Sequence, residues 1–358
     1  VTLELLEGGE DSLAHLAGYL VHHRGLLPAG GDLLSTGLQS LDLRPPGGAP
    51  PEALRIRPED PLAAAARKIL ARQALRLEEN LEGTAGGWDD EFLHDMRVAV
   101  RRIRSALRLL APHLGAARAA SLRAELKWIG DLLGSVRDLD VFLAGLDGAA
   151  AQAGVPPPAL EGLRERVRSL RQVRRTTLVK ALGSARYRRA LGRVHAIARP
   201  RPAPVRAMPP LSEAAPPLVD RAVTKALQTS AGLGPDPAPE ALHRLRILFK
   251  RARYACEFFK EALPGPLDAF VTEAVAFQDL LGAHQDAAVA VGRVRWAAEE
   301  LQAAGSLDLP GALGMGALVQ VYLESARRDR RDFLTLWDSS RKGLRKLKAE
   351  IRKMGEVR

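Results

Sequence analysis

The sequence predicts an all-α protein built from a duplicated helical unit, with a short strand/helix appendage at its N-terminus. Three observations carry that expectation. Long Ala/Leu/Arg-rich stretches space their apolar residues as helices do. Alternating runs of Val, Ile and Thr, the mark of strands, are almost absent. Finally, LHDMRVAVRRIR (Leu93 to Arg104) returns 149 residues later as LHRLRILFKRAR (Leu242 to Arg253). A second pair, DLLGSVRDLDV from Asp131 and DLLGAHQDAAV from Asp279, repeats at an offset of 148. Two matches at nearly one offset point to duplication of a whole multi-helix unit, hence to two helical bundles related by a pseudo-twofold axis.

The elements follow in order. Residues 1–50 hold two basic side chains (Arg24, Arg44) against six acidic ones, a net −4 that leaves +15 for the rest of the chain. VTLELLEGG reads as a strand and turn, and EDSLAHLAGYLVHHRG as a helix capped by Asp11 or Ser12. The Pro/Gly run from Pro45 to Ala53 is a boundary. A long helix starts near Asp60-Pro61 and runs to about Leu81. Gly83 to Asp90 reads as a loop, with Asp89 or Asp90 available to cap the first repeat helix. Ser121 to Gly148 holds one or two helices, and Pro156 to Leu191 another pair. Seven prolines between Arg199 and Pro217 mark a linker, residues 199–217, between a first bundle (55–198) and a second (218–350).

Composition narrows the partner. The net charge is +11 and the pI about 10.2, which suit a polyanion: nucleic acid, an acidic membrane surface or a phosphate polymer. Only 4% of residues are aromatic, which argues against stacking platforms for bases. Cys256 is the single cysteine, so an internal disulfide is excluded and a reducing compartment fits. No apolar run is long enough to span a bilayer and no basic-then-apolar leader opens the chain, so cytoplasm is the expected location.

At about 100° per residue, His94, Arg97, Arg101, Arg104 and Arg108 fall within a stripe about 80° wide. Met96, Val100, Ile103, Leu107, Leu110 and Leu114 form a second stripe about 120° away. The second copy gives the same wheel. His243, Arg246, Lys250 and Arg253 are cationic, while Leu245, Phe249, Ala252, Cys256, Phe259 and Leu263 are apolar. Cations three and four apart repel, and those near a helix start also meet the positive end of its dipole. Both penalties reverse when a multiply charged anion lies along the stripe, and the planar Arg fork suits phosphate oxygens. A solvated basic face explains one such stripe well; it explains two in register poorly. Each His opens its stripe, where it can donate to an anion, hydrogen-bond within the fold or ligate a metal. His284 does not stand out from the background, and His15, His22 and His23, in the acidic N-terminal segment, carry no metal-spaced partners.

With HDMRVAVRRIRSALRLL, LLGSVRDLDV, ALHRLRILFKRARYACEFF and LLGAHQD in hand, the chain resembles the CHAD family, the conserved-histidine α-helical domain, over about residues 55 to 350. The resemblance implies two four-helix bundles related by pseudo-twofold symmetry around a basic central groove that binds inorganic polyphosphate, and a location on polyphosphate granules. Position by position, it places His94, Arg97, Arg101, Arg104, His243, Arg246, Lys250 and Arg253 in that groove. Arg102 and Arg251 match motif cations off the main stripe, at the groove edge or in a structural role. Lys127, Arg137 and the cluster Arg186, Arg188 and Arg189 resemble further basic positions with less specificity. Asp138 and Asp140 are expected to pair with arginines. The second copy keeps Asp286 but has Gln285 in place of Arg137, so the halves should contribute unequally. VTLELLEGGEDSLAHLAGYL also resembles the closing strand and helix of a CYTH triphosphate-tunnel domain, without that family's ExExK motif.

The function this implies is non-catalytic binding of inorganic polyphosphate, with neither a metal nor another cofactor. A phosphohydrolase or phosphotransferase is the alternative, but no Walker A loop, HExxH or acidic cluster accompanies the stripes. A general polyanion binder acting on nucleic acid is the third class, and it lacks base-reading motifs.

Overall fold

Helical spacing becomes helix almost everywhere. The computed structural model describes residues 52–200 and 209–356. The expected N-terminal appendage, its CYTH-like segment and the middle of the Pro-rich stretch lie outside the described residues. In chain order the helices are α1 (Leu62–Glu79), α2 (Leu81–Gly86), α3 (Asp90–Leu109), α4 (Ala111–Leu114), α5 (Ala116–Gln152), α6 (Glu161–Leu182) and α7 (Ala185–Ala198). Then follow α8 (Leu211–Ala214), α9 (Pro216–Ala231), α10 (Pro239–Phe259), α11 (Pro266–Ala303) and α12 (Leu309–Lys353). Among the described residues there is no strand, only an isolated bridge between Pro61 and Pro210. Around that bridge Leu211 N–H donates to Asp60 C=O at 2.8 Å and Ser212 N–H to Pro58 C=O at 3.0 Å.

Two local readings change. The segment read as a loop from Gly83 is helical as far as Gly86. Its glycines serve packing: a methyl group on Gly83 would stand 2.3 Å from Phe92 Cγ, so the α2 backbone lies directly on that ring. Gly87, at φ 70°, then ends α2 in the left-handed conformation. The Asp89 side chain accepts from Glu91 N–H at 2.8 Å and caps α3, while Asp90 and Glu91 offset the dipole in its first turn. Pro216 and Pro217, at the end of the expected linker, occupy the first turn of α9, where proline's missing N–H costs nothing.

Both apolar stripes are buried in one continuous core. Met96, Ile103 and Leu107 of α3 and Leu245, Phe249 and Phe259 of α10 belong to the same cluster, together with residues of α1, α5, α9 and α11. Phe249 stacks on Phe277 at 4.9 Å, and Phe277 meets Phe333 and Trp337 edge-on, which ties α10 to α11 and α12. Each such side chain contributes about 1.5–3 kcal/mol when fully buried. Turning α3 by one residue would exchange several of them for arginines. Core packing thereby fixes where the cationic stripes point.

Candidate functional site

α3 packs across α10, so the two copies of the repeated motif face one another. At the crossing Arg101 Nε–H donates to the Tyr254 hydroxyl, and Arg102 pairs with Glu257. α5 flanks α3 on one side, α11 flanks α10, and glycine makes both contacts close. A methyl group on Gly134 would lie 3.6 Å from Arg97 Nε, and one on Gly130 would lie 3.5 Å from Arg104 Nη1 and 3.2 Å from Val100 Cγ1. In the second copy, a methyl group on Gly282 would lie 3.7 Å from Arg246 Nη2. The last glycine of each DLLG run therefore seats the first arginine of its own stripe against bare backbone.

The result is a trough of about 430 Å³ lined by Arg97, Arg101, Arg104 and Lys250, with Gly130, Asp131, Gly134, Ser135 and Asp138 on the α5 wall. Few acids answer these cations. Asp138 pairs with Arg97 at 3.4 Å, while Asp131 holds the exposed Lys127 at 2.6 Å. Among the described residues Arg104, Arg108, Arg123, Arg246, Lys250 and Arg251 form no ion pair. The Nε–H groups of Arg104 and Arg246 are shielded from solvent with no hydrogen-bond partner. Such donors are costly to leave unmatched.

Crowding shows in the titration of these groups. Burial first, then the charges of Arg246, Arg101 and Arg97, push Lys250 down to about 7, with Asp286 pulling the other way. Burial also lowers Arg97, opposed by Asp138 and reinforced by Arg101 and Arg246. Arg108 is lowered by burial and then by Arg251, Arg123 and Arg104. Burial lowers His94 against the pull of Glu91. Asp286 is raised, chiefly by burial.

The remaining residues picked from the sequence fall elsewhere. Arg253 shares Glu257 with Arg102, at 2.9 Å, so two motif cations are already engaged by one carboxylate. Arg137 pairs with Glu91 at 3.3 Å. His243 Nδ1 lies 2.9 Å from Gln285 Oε1, and the buried His284 is tied to Ala326 C=O at 2.9 Å. Asp140 pairs with Arg171, and Asp138 with Arg97, so both acids do meet arginines. Arg186 stacks over Trp128 and pairs with Glu125, and Arg188 donates to Gly183 C=O, all on the outer surface of α5 and α7. Sequence reasoning missed Arg123, whose charge lowers Arg108 and Arg251 further after burial. It precedes Gly130 and Gly134 by seven and eleven residues, on the same face of α5, and that spacing is the signal that marks it.

The model of the CHAD domain matches residues 68–295. This chain belongs to the CHAD family. Its fold is similar to the CHAD domain from the plant Ricinus communis, at 29% identity and a TM-score of 0.60, covering 79% of this chain and 96% of the plant one. It is also similar in fold to PptA from Streptomyces chartreusis, at 21% identity and a TM-score of 0.63, covering 78% of this chain and all of that one. The uncharacterized protein Rv2226 of Mycobacterium tuberculosis is 32% identical over 213 residues, which is 56% of this chain. This chain matches 39% of that relative's length, so it spans about two fifths of the curated relatives it resembles. Among the described residues of the CHAD chain no helix is long and apolar enough to cross a membrane, and no group of three or more His, Cys, Asp or Glu is placed to hold a metal ion.

Proposed function

We propose that this CHAD protein binds inorganic polyphosphate, without chemistry, along the trough between α3 and α5 and over the α3–α10 crossing. One observation carries the reading: both motif copies deliver cations to one place, and most of those cations have no carboxylate partner. Arg97 to Arg108 spans about 16 Å of helix at 1.5 Å per residue, room for several consecutive phosphates. Bidentate arginines at that spacing would grip phosphate oxygens regardless of sequence or end group. Chain length would then set avidity. The two nearest α5 carboxylates are engaged by Arg97 and Lys127, which supports binding over metal-assisted hydrolysis. On this reading the repeat reflects two duplicated helical bundles, and a cell's polyphosphate granules are where the protein gathers.

Titration calorimetry with polyphosphate of defined length tests it, beside Arg101→Glu/Lys250→Glu protein whose helicity is checked by circular dichroism. Binding by the parent and none by the folded double variant supports the reading. Unchanged binding by the variant sinks it. Long polyphosphate should also displace DNA at equal phosphate, and DNA should fail to displace polyphosphate; the reverse order would make the protein a nucleic-acid binder.

A further inference from the structure

Beside the trough lies a second cavity, of about 410 Å³, which shares Arg101, Arg104 and Lys250 with it. Its wall has a different chemistry. Leu109 of α3, Ala222 of α9, and Ile247, Leu248, Ala255 and Phe258 of α10 form an apolar floor. Arg108, Lys225 and Arg251 join the three shared cations as further charged residues of its lining. Its uncharged polar side chains are Ser105 and Tyr254, whose hydroxyl oxygen accepts from Arg101 Nε–H. No carboxylate and no amide side chain lines the cavity, whereas Asp131 and Asp138 line the trough.

Inorganic polyphosphate is charged along its whole length and gains nothing from an apolar floor. A floor of this kind beside clustered cations suits a ligand with two unlike ends. We infer that this cavity receives the apolar group of an organic phosphate ester, a phosphate chain ending in an aliphatic or planar organic group, while the chain itself runs into the trough. The inference rests on the trough being a phosphate site. Because the wall offers almost no hydrogen-bond acceptor, a group with few N–H or O–H donors fits it best: burying unmatched donors there would offset the gain.

Two matched pairs test this on the intact protein, each read by calorimetry. Geranyl diphosphate is compared with pyrophosphate, and adenosine 5′-triphosphate with tripolyphosphate. We expect the organic member of at least one pair to bind about tenfold tighter or more than its inorganic match, and the better pair names the source. Ala222→Phe, which fills the cavity, should erase that advantage and leave the inorganic affinity unchanged. Leu248→Ser, which makes the floor polar, should erase it independently should the filled variant fold poorly. Equal affinities in both pairs would overturn the inference while leaving polyphosphate binding intact, as would an advantage that survives both substitutions. Organic esters that bind where inorganic chains do not would support the cavity and refute the polyphosphate reading.

Discussion

On the proposed reading, Lys250 should make polyphosphate binding a proton-uptake reaction near neutral pH. Its ammonium group is pushed down to about 7 by burial and by Arg246, Arg101 and Arg97, with Asp286 as the opposing charge. At pH 8 the free protein therefore carries Lys250 about nine-tenths neutral. A polyanion in the trough supplies the negative charge those arginines deny it, and the amine returns toward its ordinary value near 10.5. Binding at pH 8 should then take up about 0.9 proton, and affinity should fall nearly tenfold per pH unit between about pH 8 and 10. Below about pH 6 this group contributes no pH dependence. Calorimetry at pH 8 in Tris and in HEPES, whose ionisation enthalpies differ, counts the protons directly. Lys250→Met should abolish the uptake, and Lys250→Arg should bind well without it. Identical heats in the two buffers, with equal affinity at pH 7 and 9, would refute the argument. The free protein should behave oppositely. Unfolded Lys250 binds a proton up to about 10.5 and folded Lys250 only up to about 7, so stability rises with pH across that window, and Lys250→Met flattens the rise.

Other consequences can be checked one by one. Glu257→Gln should lower stability by about 1–3 kcal/mol in denaturant melts, because Arg102 and Arg253 lose their shared partner. The same variant should bind polyphosphate more tightly, since two cations are released beside the trough. Gly130→Leu should cost about 1–3 kcal/mol through overpacking against Val100 and should weaken binding by displacing Arg104. Log affinity should fall with log salt concentration, and Arg104→Gln should make that slope shallower by about 0.7, as expected for one lost contact to a single-stranded polyanion.

The helices and both wheels were legible in the sequence because burial selects the apolar stripe. Met96, Ile103, Leu107, Leu245, Phe249 and Phe259 all lie in the core where the spacing puts them. Less legible was which cations are free. Arg102 and Arg253 look like their neighbours in the motif, yet both end on Glu257, a contact 155 residues from Arg102 along the chain. Arg123 sits in no repeat and is brought beside Arg108 and Arg251 by helix packing alone. The helical turn from Leu81 to Gly86 was hidden by its glycines, whose smallness answers the rings of Phe92 (at Gly83) and Trp88 (at Gly86) rather than a need for a bend. Periodicity reports which face of a helix is wet. It does not report what stands across from that face.

The contact of Arg102 with Glu257 joins distant segments of one chain, and that bears on how such a site is built. Glu257 occupies, in the second motif copy, the register held by Arg108 in the first. In a symmetric homodimer one residue must serve both sides of a twofold contact, so an acid placed there to lock one flank would also quench the other. Joining the two copies in a single polypeptide removes that constraint. One flank of the crossing becomes a welded hinge of Arg102, Glu257 and Arg253, while its counterpart keeps an unspent positive charge at Arg108. On the proposed reading, covalent linkage thereby lets broken symmetry divide structural duty from ligand capture, and each can be altered without rewriting the other.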